Sequence, residues 1–213
     1  MGRRVAAVLL ALLLAGCTRV VTDARPQAES PVAPITAGQA ADLLSEHVQK
    51  GSDGNLFATV EPEECAALAR EVDPPFIFSA TPAAHDGGHW NATGGAAPSI
   101  EEMVGVYRTD FDAKAAVEEV TRTLGACHTA ELVVTALEGE VIHAHLQPAP
   151  DSGSPHIALW SFTAEQWACD NAFVAAHNAA IEITACARTN GYDVLSLAKE
   201  ALMRIDTLAN RTA

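Results

Sequence analysis

Five cysteines and eight histidines are the side chains of this 213-residue chain best suited to covalent or metal chemistry. Cys17 stands apart from the other cysteines. It follows Leu14-Ala15-Gly16 at the end of a leader in which Arg3 and Arg4 precede an unbroken apolar run from Val5 to Ala15. Such a leader is a signal peptide, and its run is shorter than the roughly 20 residues that span a bilayer. Small residues directly before a cysteine resemble the bacterial lipobox. The thiol of Cys17 is therefore expected to be acylated and the chain cut before it. Each buried methylene of the acyl chains contributes about 0.8 kcal/mol, which anchors the protein to the cell membrane on its extracytoplasmic side.

Cys65, Cys127, Cys169 and Cys186 remain after lipidation. An even number in an exported chain implies two disulfides. No pair has the close spacing of a zinc knuckle. The segment from Cys169 to Cys186 has a natural centre at His177-Asn178. A two-residue turn there, with Asn tolerating positive φ, pairs Ala176 with Ala179 and Cys169 with Cys186. The same register sets Asp170, Ala172, Val174 and Ala176 beside Ala185, Ile183, Ile181 and Ala179 on one largely apolar face. It also makes the cysteines a non-hydrogen-bonded pair, close enough for a disulfide. Cys65 is then left to join Cys127. By loop closure the long bridge contributes about 4 kcal/mol and the short one about 3 kcal/mol.

His143 and His145 alternate along a predicted strand, so both face one way. With His85 and His89, nearby in sequence terms only, they offer a four-histidine metal site as the lesser reading. With no carboxylate or thiol at ligand spacing beside them, these histidines read as solvent-facing or cleft-lining, and neither a metal nor a cofactor is expected. Trp90 and Trp160 join His143 and His145 as candidate cleft-lining residues, although tryptophan also serves as core. The chain has no G-x-S-x-G elbow, no H-E-x-x-H helix and no phosphate-cradling glycine motif ending in Lys. Gly153-Ser154-Pro155 reads as a turn. No catalytic residue is assigned, and a non-enzyme is expected.

The elements that must position these groups follow from pattern. Thr18 to Ile35, with Pro26, Pro31 and Pro34 and no hydrophobic period, suits a flexible tether. The domain is expected over 36–213. Thr36 caps a predicted helix through Gln49, with Ala40, Leu43, Leu44 and Val48 on one face, and a short helix surrounds Cys65. Pro74 to Pro98 reads as an exposed loop broken by a strand at Phe76-Ile77-Phe78. Ile100 to Arg108 reads as a strand, and Asp110 caps a helix carrying Val117, Val120 and Leu124. Strands follow at Leu132 to Leu137, Val141 to Gln147 and Ile157 to Phe162, and an amphipathic helix from about Asp193 ends the domain. Helices and antiparallel hairpins in separate runs predict an α+β fold, an antiparallel sheet packed with helices.

The chain is long enough for one domain with a real core. Its 19% charged residues exclude a disordered tail. Loss of Arg3 and Arg4 with the leader takes the formal charge from −14 to −16. Nucleic acid is therefore excluded as a partner, because phosphate binding needs clustered Lys and Arg.

The cysteine order, Trp167 before the third cysteine, the hairpin to the fourth and the amphipathic C-terminal helix together resemble the PknH-like extracellular domain. That family comprises the sensor domain of a mycobacterial serine/threonine kinase and free-standing lipoproteins. The resemblance covers Thr36 to Asn210 and is strongest from Trp167 to Ile205. It implies an antiparallel sheet with two disulfides, and a cleft for an unknown ligand between sheet and helices, placed here near the Pro74 to Pro98 segment. No kinase region is present, so sensing must act through a partner or by ligand capture. The expected function is a non-catalytic, ligand-binding or sensor-type envelope lipoprotein whose partner is an unknown small molecule. A protein–protein interaction module of the envelope is the second reading, and a hydrolase or metalloprotein the third.

Overall fold

The computed structural model describes residues 34–49, 57–70, 73–92, 98–136, 139–147 and 150–211. Cys17, the leader and nearly all of the expected tether lie outside them. Eight strands form a single antiparallel sheet: β1 (Phe57–Glu61), β2 (Ala84–Asn91), β3 (Ser99–Val106), β4 (Glu131–Ala136), β5 (Val141–Gln147), β6 (Ile157–Thr163), β7 (Ala168–Ala176) and β8 (Ala179–Ala187). Their order across the sheet is β1-β4-β5-β6-β7-β8-β3-β2. Among the described residues there are also two 3-10 helices, η1 (Ala37–Leu43) and η2 (Glu63–Leu68), and three α-helices, α1 (Pro75–Phe78), α2 (Ala113–Cys127) and α3 (Val194–Arg211). No helix among the described residues is long and apolar enough to cross a membrane.

The β7–β8 hairpin lies in the interior of the sheet, with β7 one of its two middle strands. Ala176 pairs with Ala179 and Cys169 with Cys186, the register read from the apolar alternation. All nine residues of β7 are buried, because helices cover both faces of this strand and alternation no longer separates inside from outside. On one face α3 and η1 close over Ile100, Val104, Ile181 and Ile183, with Ala198, Ala201 and Ile205 pointing down from the helix. On the other, α1, α2 and η2 close over Trp160, Phe162 and Phe173, with Val120 and Ile77 among the contacts. The alanines of the hairpin leave room for helix backbones to approach on both sides.

Disulfides join Cys65 to Cys127 and Cys169 to Cys186. The first ties η2 to the last turn of α2, and both of its cysteines are buried. Trp160 adds a second tie at this place, its Nε1 donating to Leu68 O at 2.8 Å.

Several local expectations are corrected. Thr36 does precede a helix, but it is the short 3-10 helix η1, and Gln49 instead bridges His89 of β2. Phe76-Ile77-Phe78 belongs to helix α1, started by Pro75, whose fixed φ suits a first helical turn. The expected long loop contains β2. Its Gly87 and Gly88 are packing positions: a Cβ on Gly87 would stand 2.6 Å from Met103 Cε, and one on Gly88 2.6 Å from Val48 Cγ1. The cap of α2 is Asp112, which accepts from Ala115 N at 3.0 Å, rather than Asp110. In the hairpin turn the positive φ falls on His177, at 52°, rather than on Asn178. Asn178 is engaged elsewhere: its side chain bonds Ile35 and Tyr107.

Candidate functional site

The four residues expected to line one cleft are not brought together. Trp90 lies on edge strand β2 and packs on the α3 face. Trp160 lies four strands away on β6, on the opposite face, and is 1% exposed. It is a core residue whose only polar atom is satisfied by Leu68. His143 and His145 stand on β5 with their side chains 58% and 64% exposed. His85 and His89 stand on β2 at the far edge. The four histidines therefore make no common site.

A cleft arises instead from a mismatch between β5 and β6. These strands share three residue pairs, His145 with Thr163, Leu146 with Phe162 and Gln147 with Ser161, whereas β6 and β7 share seven. The first half of β6, Ile157 to Trp160, therefore runs on without β5 beside it. The chain returning from Pro150 arches over the step. Ser152 holds this arch: its Oγ lies 2.7 Å from Ile157 O and 3.0 Å from Ser154 O, and it accepts from Ser154 N at 3.2 Å.

The result is a cavity of about 740 Å³ between α2 and the arch. Its walls are mostly apolar, from Val117 and Leu124 on α2, Leu146 on β5 and Ile157 and Leu159 on β6, and its polar groups come from Thr121, His128 and Gln147 and from Asp151, Ser152 and Ser154 of the arch. A smaller hollow of about 400 Å³ shares Gln147, Pro150 and Leu159 with it and extends to the turn before α3. Asp170 in that hollow accepts from Gly191 N at 2.7 Å, Tyr192 N at 2.8 Å and Ser161 Oγ at 2.6 Å. Those bonds commit its carboxylate to holding the turn.

Gly125 is an exposed residue of the cavity lining. It sits within α2, lines the cavity, and a Cβ built on it meets nothing within 4 Å. Glycine in a helix interior costs about 1 kcal/mol relative to alanine. Here, in the last turn of α2, no packing contact requires a glycine. None of these wall residues carries a sequence signature of binding. Gly125 was the one available signal, a glycine inside an otherwise strongly periodic helix.

A second groove, about 870 Å³, runs between η1 with the turn after it and α3. Beneath it Glu102 of β3 is 0% exposed and paired with Arg204. Arg204 Nε also donates to Leu43 O at 2.7 Å, and Ser45 N donates to Glu102 at 3.0 Å. Burial pushes the Glu102 carboxyl above its usual range, while Arg204 and the Ser45 amide pull it down. These groups satisfy one another and lock η1 to α3, so the groove floor is structural.

The comparisons agree with this architecture. The chain is similar in fold to the crystal structure of the extracellular domain of PknH from Mycobacterium tuberculosis, with a TM-score of 0.64 at 18% identity, covering 85% of this chain and 100% of that one. No curated protein matches. The family model described as the PknH-like extracellular domain matches residues 18–204, and with that span of the sequence matched, the chain belongs to the PknH-like extracellular domain family.

Proposed function

We propose that this protein is a cell-envelope lipoprotein, held to the membrane by acyl chains on Cys17, whose domain captures a small, mainly apolar ligand without catalysis. The cavity between α2 and the β5–β6 arch carries the reading. Its volume of about 740 Å³ is that of a ligand pocket, and walls that are mainly apolar with polar groups set among them are what such pockets present. Membership of a family of extracellular sensor-type domains supports capture outside the cytoplasm. The anchor rests on the lipobox-like Leu14-Ala15-Gly16-Cys17.

The test is native mass spectrometry of the protein purified gently from membranes, beside a Gly125→Trp variant that adds bulk to the cavity lining. An added mass in the wild type that is absent from the variant, both being folded, is the expected result. Bare protein in both, or an equal added mass in both, overturns the assignment of the cavity. Cys17→Ser should release the protein from the membrane fraction, and continued retention refutes the anchor.

A second reading, docking of another envelope protein, is favoured by one observation. On the outer face of β4 and β5 the large apolar side chain of Val141 is 53% exposed.

A further inference from the structure

We infer that His143, His145 and Glu131 form a binding site for a divalent transition-metal ion of the imidazole-preferring class. The β4–β5 register sets Glu131 directly opposite His145, and Val133 opposite His143. Leu132 and Ala144, the intervening residues, are 0% exposed, so pleating turns Glu131, His143 and His145 together onto the outer face. Both imidazoles turn to one oxygen: His143 Nδ1 is 3.3 Å and His145 Nε2 3.8 Å from Glu131 Oε1.

Those separations are close to what a shared ion imposes. Two ligand atoms, each about 2.1 Å from a tetrahedral ion, stand roughly 3.4 Å apart. As the side chains now lie, no three such groups among the described residues converge on a common centre. His145 closes the set by rotating about its side-chain bonds, and at 64% exposed it is free to do so. The ladder between β4 and β5 fixes the backbone from which all three side chains project, so closure requires no rearrangement of the fold. Two imidazoles with one carboxylate suit Zn²⁺, Cu²⁺ or Ni²⁺, and suit Ca²⁺ and Mg²⁺ poorly, since those prefer all-oxygen shells. Glu61 of β1, opposite Val133 on the same face, adds negative charge that favours a cation. Sequence spacing hides this site, because Glu131 is 12 residues from His143 and reaches it only through strand pairing.

The full mature chain, stripped with a chelator, is titrated with Zn²⁺ by calorimetry while the histidine side-chain resonances are followed by NMR. One Zn²⁺ per chain is expected, with the His143 and His145 signals shifting. His143→Ala and His145→Ala should each weaken binding by more than about tenfold, and Glu131→Gln by less; His156→Ala should leave it unchanged. The three positions are exposed, and equal melting temperatures will show that the variants fold. No uptake at millimolar Zn²⁺ overturns the site, as does undiminished uptake in the His143→Ala/His145→Ala double variant.

Discussion

Glu102 on β3 and Arg204 on α3 form an ion pair whose carboxylate is 0% exposed and whose guanidinium side chain is 23% exposed. The pair joins the sheet to its last helix, and Arg204 extends the link to Leu43 O of η1. Removing one partner of such a pair leaves a buried, uncompensated charge and costs about 3 to 5 kcal/mol. Arg204→Met should destabilise the domain by that amount at neutral pH in urea unfolding. The sign of its pH dependence is set by burial. Without Arg204 the folded state holds the Glu102 proton more tightly than the unfolded chain does, so stability is favoured below the unfolded carboxyl range and lost as pH rises through the raised folded one. The deficit of Arg204→Met relative to wild type should therefore shrink on acidification. A deficit constant with pH would show that the lost packing of the arginine stem, rather than the stranded charge, is responsible.

The two disulfides close loops of different length, with sequence separations of 62 for Cys65–Cys127 and 17 for Cys169–Cys186. Non-reducing peptide mapping should recover these two links and no others. If unfolded-chain entropy governs their contribution, removing the longer bridge by a double Cys→Ala substitution costs about 1 kcal/mol more than removing the shorter. The comparison is made by chemical denaturation. A greater loss from the Cys169–Cys186 bridge would point to native packing at the sheet centre, where Cys169 is 0% exposed.

That central hairpin was the most legible part of the fold. Its register follows from period-two patterning and two cysteines at mirror positions, which constrain each other. β2 was not legible, because Gly87 and Gly88 carry the same signal whether they relieve a turn or admit Met103 and Val48 to close contact. Nor does a local pattern distinguish a strand from a short helix at Phe76 to Phe78; Pro75 and tertiary contact decide. The cavity was hidden for another reason. It is produced by the offset of β5 from β6, a relation between strands, and the residues lining it read individually as core or loop. Likewise Trp160 has the composition of a cleft residue and the surroundings of a core one.

Asn178 shows how much one buried polar side chain holds. Ile35 N donates to its Oδ1 at 3.0 Å, and its Nδ2 donates to Ile35 O and Tyr107 O, each at 2.8 Å. Asn178→Ala leaves three backbone groups without those bonds, at about 1 to 3 kcal/mol for each that stays dry. A total loss of at least about 2 kcal/mol is expected, together with faster hydrogen exchange at the Ile35 amide. Unchanged exchange there would mean that water or another group replaces the side chain.

Gly125 offers the sharpest separation of stability from function. Alanine at this position meets no atom within 4 Å and removes the backbone-entropy cost of a helical glycine. Gly125→Ala should therefore stabilise the domain by about 0.5 to 1 kcal/mol, read as a higher melting temperature. A larger side chain at the same place adds bulk to the cavity lining, and Gly125→Trp is expected to keep the fold while excluding an occupant. A stabilised alanine variant whose bound mass is retained, beside a folded tryptophan variant that has lost it, is the pattern expected if the glycine sets the width of a binding cleft. Destabilisation by alanine would instead show that Gly125 is needed by the helix itself.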